Sequence, residues 1–445
     1  MRALMGPQLP PLRPRRLPVC SMILTMVVLL GAPGPGTAPP PARAQDARPG
    51  VVEPMDCPAV SPVDPTLHPM DEDLAVSLDR AHRIATGHDV TVAVIDTGVS
   101  PHPRLPGIHP GGDLVGAHQQ EGIPGELIDC DGHGTIVAGI IAMRPDHGSG
   151  WPYDGTGDNH IGIAPAANLI AIKQTSAFVR HSGDTGVGTL GTLADSIHRA
   201  LDQGAHIINI SVVSCIPATH EHPGAIHPLD EALWRAEHQG VVVVAAAGNV
   251  GQDCPEGSTV YPAHAETVLA VSARFDSHTI ASYSVAADQQ LLSAQGLIPT
   301  GLSPRGDGFV SGVLTQSGPS PFEGTSFAAP VVSGTAALIR QRHPHASPAE
   351  IRTRILASVD PARGAVDPYR ALTMEPAPGP VPAREVHISA PAPPDDSARR
   401  NAVAVLAMVT AVVTAIAVTA GRWWGSRQRL KPSHSMNSSA QGRVP

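Results

Sequence analysis

Short runs of consecutive apolar residues alternate along the middle of the chain with segments in which apolar residues recur every three or four positions. The runs 90–95, 168–172, 207–210, 241–246 and 268–271 are apolar but for Thr91, Asn168 and Asn209. A strand exposed on one face would alternate, whereas a parallel strand covered on both faces reads as a continuous apolar run. Between them, segments 134–143, 190–203, 229–239, 327–342 and 348–358 carry helical spacing or small-residue helical composition, and a shorter helical pattern covers 74–84. This βαβ rhythm predicts an α/β domain over residues 74–374, with a doubly wound, mostly parallel sheet and helices on both faces.

The ends of the chain follow other rules. Arg13, Arg15 and Arg16 precede an apolar run of 12 residues, 19–30, and small and proline-rich residues lead to Ala42-Arg43-Ala44. A positive flank, a short apolar core and an A-x-A site make residues 1–44 a secretory signal peptide. Twelve residues are too few to cross about 30 Å of hydrocarbon as a helix. Residues 45–73 lack periodicity and read as an N-terminal extension. Residues 375–398 are rich in Pro and Ala, a semi-rigid linker. A charge-free apolar run inside 399–424 then predicts one transmembrane helix, with Trp423 and Trp424 as interfacial anchors. Arg399 and Arg400 precede it, and Arg422, Arg427, Arg429 and Lys431 follow. Four basic residues against two place the tail 425–445 in the cytoplasm and the large domain outside.

A net charge of −9 with 16% charged residues offers nucleic acid no basic surface, so no such partner is expected. Of five cysteines, Cys20 falls in the signal segment. Cys57, Cys130, Cys215 and Cys254 remain, an even number that in an exported protein favours disulfides with three possible connectivities. The 22 histidines invite metal binding, but His220, His222, His343 and His345 read as solvated loop or helix-end residues. The Asp129-Cys130-Asp131-x-His133 cluster has no second ligand pair at zinc spacing. No metal or other cofactor is expected.

Three polar positions stand where this fold exposes side chains. The apolar run 92–95 ends in Asp96-Thr97-Gly98, and strand carboxyl ends open onto the ligand crevice of such sheets. His133, bracketed by Gly132 and Gly134, opens a small-residue helix. Ser326, in Gly324-Thr325-Ser326, opens another, where backbone N–H groups and the helix dipole favour an oxyanion. Alone, this last segment reads equally well as an N-cap to a tightly packed helix. Asp, His and Ser in that order are the parts of a nucleophilic triad. Asn249, at the end of the run 241–246, is placed to donate to an oxyanion.

With Asp96-Thr97-Gly98, His133-Gly134-Thr135, Ala247-Gly248-Asn249 and Gly324-Thr325-Ser326, the chain resembles subtilisin-like serine proteases over about residues 74–373. Pro101-His102-Pro103-Arg104-Leu105-Pro106, the segment 129–135 and the run 324–330 look most like the mycosins, membrane-anchored proteases that accompany type VII secretion. The resemblance implies peptide-bond hydrolysis by Ser326, with His133 as base, Asp96 orienting it and Asn249 in the oxyanion hole. It further implies a polypeptide substrate bound along Ser211, Val212 and Val213, disulfides Cys57–Cys130 and Cys215–Cys254, and a partner in the secretion machinery. The valines at 212 and 213 stand where degradative relatives carry glycine, which implies a narrow, selective pocket. The extension is short for a folding propeptide, and the calcium sites of many relatives are not identifiable.

Overall fold

The computed structural model describes residues 52–54, 56–63, 71–145, 160–181, 187–217, 226–276, 279–285, 292–315, 318–360, 364–375 and 397–428. The signal peptide and most of the linker and tail lie outside them. The chain divides into two compact units, 1–374 and 375–445.

The first unit is built on a seven-stranded parallel sheet. Its strands in chain order are β1 (Thr91–Asp96), β2 (Ile108–Asp113), β3 (Asn168–Lys173), β4 (Ile207–Ile210), β5 (Val242–Ala246), β6 (Val268–Arg274) and β7 (Ser293–Gln295). They lie side by side as β7-β6-β5-β4-β1-β3-β2. Successive residues of one strand serve opposite layers. Val92 and Val94 of β1 join one buried core, and Ala93 and Ile95 join the other. Both faces are therefore covered, which is why these strands read as near-continuous apolar runs. On one face lie α1 (Glu72–His82), α2 (His133–Ala142) and α5 (Thr325–Arg342); on the other lie α3 (Leu190–Asp202) and α4 (Ile226–His238).

The sheet extends beyond the five strands predicted. The edge strand β2 escapes pattern reading because Pro110, Gly111 and Gly112 interrupt it, and its register shifts between Pro110 and Gly112. At the other edge, β7 is three residues long. Helix α5 begins at Thr325, so Ser326 lies inside its first turn instead of before it.

The order of strands reverses at β1, which has β3 on one side and β4 on the other. The crevice beyond the carboxyl ends of β1 and β4 is thus the switch point of the sheet. Ile95 pairs with Ile210, which sets Asp96 and Ser211 at the same level along the rim. The N-terminal extension contributes two short strands. Val52–Pro54 pairs with Val179–His181, and Val60–Pro62 pairs with Phe309–Thr315.

In the second unit, one helix runs Ser397–Gln428. Its segment Asn401–Ala420 is exposed and is the one stretch among the described residues long and apolar enough to cross a membrane. Twenty residues at about 1.5 Å each span roughly 30 Å.

Arg340, near the end of α5, is buried. It donates to the carbonyls of Ala346 (2.6 Å) and Pro344 (3.3 Å), and across to that of Gly240 just after α4 (2.6 Å). Arg340→Met keeps the length of the side chain and removes the donors. It is expected to lower unfolding stability by about 1.5–3 kcal/mol, as for a hydrogen bond to a charged group. The check is the urea midpoint of the 1–374 unit, and an unchanged midpoint would contradict the assignment.

Candidate active site

Asp96 closes β1 and is fully buried. Its Oδ1 accepts from the Thr97 backbone N–H (2.8 Å) and from His133 Nδ1 (2.6 Å). His133 is the first residue of α2, so the bond joins the end of a strand to the start of a helix. That approach depends on Gly134. A Cβ there would collide with the Gly98 carbonyl oxygen and lie 3.1 Å from Asp96 Oδ1.

A second buried carboxylate braces this junction. Asp129 Oδ1 accepts from Gly132 N (2.9 Å) and Thr97 Oγ1 (2.8 Å), and Oδ2 accepts from Thr135 N (2.8 Å) and Thr135 Oγ1 (2.7 Å). The Thr97 hydroxyl also accepts from Gly134 N at 3.0 Å. Burial pushes the Asp129 carboxyl up to about 6 against the opposing pull of its Thr135 hydrogen bonds. Neighbouring Asp131 is held by Ser176 Oγ (2.6 Å) and Ala177 N (2.7 Å). Cys130, between them, is bonded to Cys57 of the extension.

The His133 side chain is 26% exposed. Its ring lies against Phe327, centroids 4.8 Å apart, and Phe327 directly follows Ser326. With Nδ1 bound to Asp96, Nε2 is the nitrogen left to serve the cleft. Burial alone would lower the imidazole pKa. The charge of Asp96 and its hydrogen bond, with further charge from Asp129 and Asp131, outweigh this and raise it above the usual histidine value of 6.5.

Ser326 is half-buried in the first turn of α5. Asn249 follows β5 and is fixed by its oxygen: Oδ1 accepts from Thr325 N (3.0 Å) and Thr325 Oγ1 (2.9 Å). The Thr325 hydroxyl in turn accepts from Gly248 N at 3.1 Å. This orientation turns Nδ2 toward the start of α5, where a Cβ on Gly324 would stand 2.9 Å from it. The structure thus gathers Asp96, His133, Asn249 and Ser326 around one rim. Such a set can deprotonate a hydroxyl and receive the negative oxygen of a tetrahedral adduct.

Ser211, Val212 and Val213 follow β4 on the same rim. Val212 and Val213 are half-buried and pack against opposite cores, while the Ser211 hydroxyl points back to the Ser326 carbonyl. A second disulfide, Cys215–Cys254, ties the segment after β4 to the loop after Asn249. For metals, the ligand atoms of Cys57, His118 and Cys130 cluster together, but the two sulfurs are joined to each other and are not thiolates. The side chains of Asp129 and Asp131 are equally engaged by hydrogen bonds. Sequence reading missed Thr97, Thr325 and the bracing role of Asp129; the threonines beside Asp96 and Ser326 were the available signal.

The family model described as the subtilase family matches residues 87–375, about two thirds of the chain and all four rim residues. The chain belongs to the subtilase family. Subtilases are serine endopeptidases, and the parallel sheet with flanking helices is their fold. Among this subtilase's relatives, Mycosin-4 of Mycobacterium tuberculosis is 37% identical, covering 80% of this chain and 82% of the relative. Mycosin-1 of the same organism is 37% identical over 67% of this chain and 72% of its own length. Among solved structures, the MycP3 protease from the type VII (ESX-3) secretion system superposes with a TM-score of 0.64 at 33% identity, covering 76% of this chain and 98% of that one. A chain of the intact ESX-5 inner membrane complex gives a TM-score of 0.65 at 31% identity, covering 87% and 100%.

A base must be neutral to take a proton, so with His133 as the base its raised pKa would set the acid side of the rate profile. The kcat/KM of this subtilase is expected to fall, as pH drops, with a midpoint above 6.5. Asp131→Asn removes one of the raising charges and should move that midpoint down; a midpoint that stays put would contradict the electrostatic account. Gly134→Ala should lower kcat/KM by about 100-fold or more through misplacement of the imidazole. Wild-type activity in that variant would contradict the close approach.

Proposed function

We propose that Ser326 is the nucleophile of this subtilase, with His133 its general base and later general acid, and Asp96 the group that orients and stabilises the imidazole. Attack on a peptide carbonyl gives an oxyanion that Asn249 Nδ2 receives at the N-terminus of α5. The acyl-enzyme formed on loss of the amine is then hydrolysed by water activated by the same histidine. The observation that carries this reading is the 2.6 Å bond from His133 Nδ1 to fully buried Asp96, with the imidazole packed against Phe327, the residue after Ser326, at 4.8 Å between centroids.

The substrate is a polypeptide laid along the 211–213 edge. Valines there narrow the pocket for the residue before the scissile bond, so the enzyme is selective. The helix Ser397–Gln428 anchors it in the cytoplasmic membrane, with the 74–374 domain outside and the tail inside. Its site of work is type VII secretion, the setting of the MycP3 protease that it resembles.

A second reading has its own support. The match to a chain of the intact ESX-5 inner membrane complex covers 87% of this chain, more than the 76% matched by the isolated MycP3 protease. In this reading the protein stabilises a secretion complex and proteolysis is secondary.

Full-length protein should label with a fluorophosphonate probe, and Ser326→Ala should not; by triad logic that substitution lowers kcat by about 10⁶. An unlabelled wild type would overturn the protease reading. Complementation of a deletion strain separates the two roles. If Ser326→Ala restores secretion and a chain lacking 375–445 does not, the structural role is the essential one.

A further inference from the structure

Pro330 lies inside α5, four residues after Ser326. In an α-helix the carbonyl of residue i accepts from the N–H of residue i+4, and proline has none. The Ser326 carbonyl is therefore denied its ordinary helical partner one peptide unit from the reacting hydroxyl. It accepts instead from Ser211 Oγ at 2.7 Å.

Ser211 is not a passing donor. Its Oγ accepts from Asn209 Nδ2 at 2.9 Å, and Asn209 Oδ1 accepts from Ser333 Oγ at 2.8 Å. Ser211 is 3% exposed, and Asn209 and Ser333 are both at 0%. Ser333 sits on α5 itself, two turns beyond the nucleophile. The chain of bonds thus leaves the helix at Ser333, crosses the last residues of β4, and returns to the helix at Ser326. Its direction is fixed, because the final acceptor is a carbonyl and each hydroxyl must donate toward it. A fully satisfied polar path within small aliphatic packing holds its members in one arrangement, since any other leaves buried groups unpaired.

We infer that Ser211 is a positioning residue for the nucleophile. Its hydroxyl replaces the helix hydrogen bond that Pro330 removes, and through Asn209 and Ser333 it holds the first turn of α5 in register with His133. The Ser211 side chain thereby belongs to the support of the nucleophile, while the backbone of 211–213 remains the edge available to substrate. This assignment rests on Ser326 being the nucleophile.

The test uses full-length protein and a fluorophosphonate titrated to saturation. Ser211→Ala should slow the limiting rate of inactivation by roughly 10–100-fold while leaving the half-saturating concentration within about twofold, the signature of a misplaced but still accessible nucleophile. Ser211→Thr, which keeps the hydroxyl, should retain a rate within about threefold of wild type. The decisive arm is Pro330→Ala in the Ser211→Ala background. It returns an N–H to position i+4 and should recover at least about tenfold of the lost rate, a non-additivity expected only for groups serving the same acceptor. Ser333→Ala opens the path from its far end and should give a partial loss of the same kind. A Ser211→Ala variant that inactivates at the wild-type rate, or whose loss Pro330→Ala leaves untouched, overturns the assignment. A wild type that fails to label overturns the protease reading instead, so the two failures are distinct.

Discussion

The bond between Asp96 Oδ1 and His133 Nδ1 can form only because the turn after a central strand and the first turn of a helix pack closer than two side chains would allow. Gly134 makes that approach possible, and the Thr97 hydroxyl stitches it by accepting from Gly134 N and donating to Asp129. Asp129 then gathers four donors, two of them from Thr135. A carboxylate buried this deeply would be costly without such partners, and with them it becomes a rigid centre for the loop that delivers His133. The disulfide at Cys130 attaches the N-terminal extension to the same loop.

The other half of the site is organised around the first turn of α5. Asn249 is oriented by Thr325, which precedes Ser326, and Ser211 binds the carbonyl of Ser326 itself. Each carboxyl end of β1, β4 and β5 thus supplies one polar residue, and each is locked by hydrogen bonds to a helix start. The parallel sheet brings these ends to one rim, and its switch point opens the crevice between them. The geometry of catalysis is a consequence of strand order more than of any local loop design.

Much of this was legible in the chain. Asp96 and Asn249 follow apolar runs, His133 and Ser326 open small-residue helices, and the order of Asp96, His133 and Ser326 is that of a known triad. The near-continuous apolar runs also revealed strands covered on both faces. Less visible were features that depend on residues far apart in sequence. The hydroxyl of Ser211 looked like part of a substrate edge, because its carbonyl partner lies 115 residues away and its need arises from Pro330. Asp129 looked like a weak metal ligand, since its donors come from both Thr97 and the start of α2. The edge strand β2 was hidden by a proline and two glycines, which a strand can carry at an edge and not at its centre.

Acyl transfer to Ser326 is the central event of the proposed mechanism, and it would leave a covalent mark. The most direct measurement is to mix the full-length protein with an activated ester of a peptide acid, quench in acid within the first turnover, and map the digested protein by mass spectrometry. The account predicts one acyl adduct, on the peptide that contains Ser326. Ester turnover with the acyl group on any other residue, or with no acylated peptide at all, would contradict it.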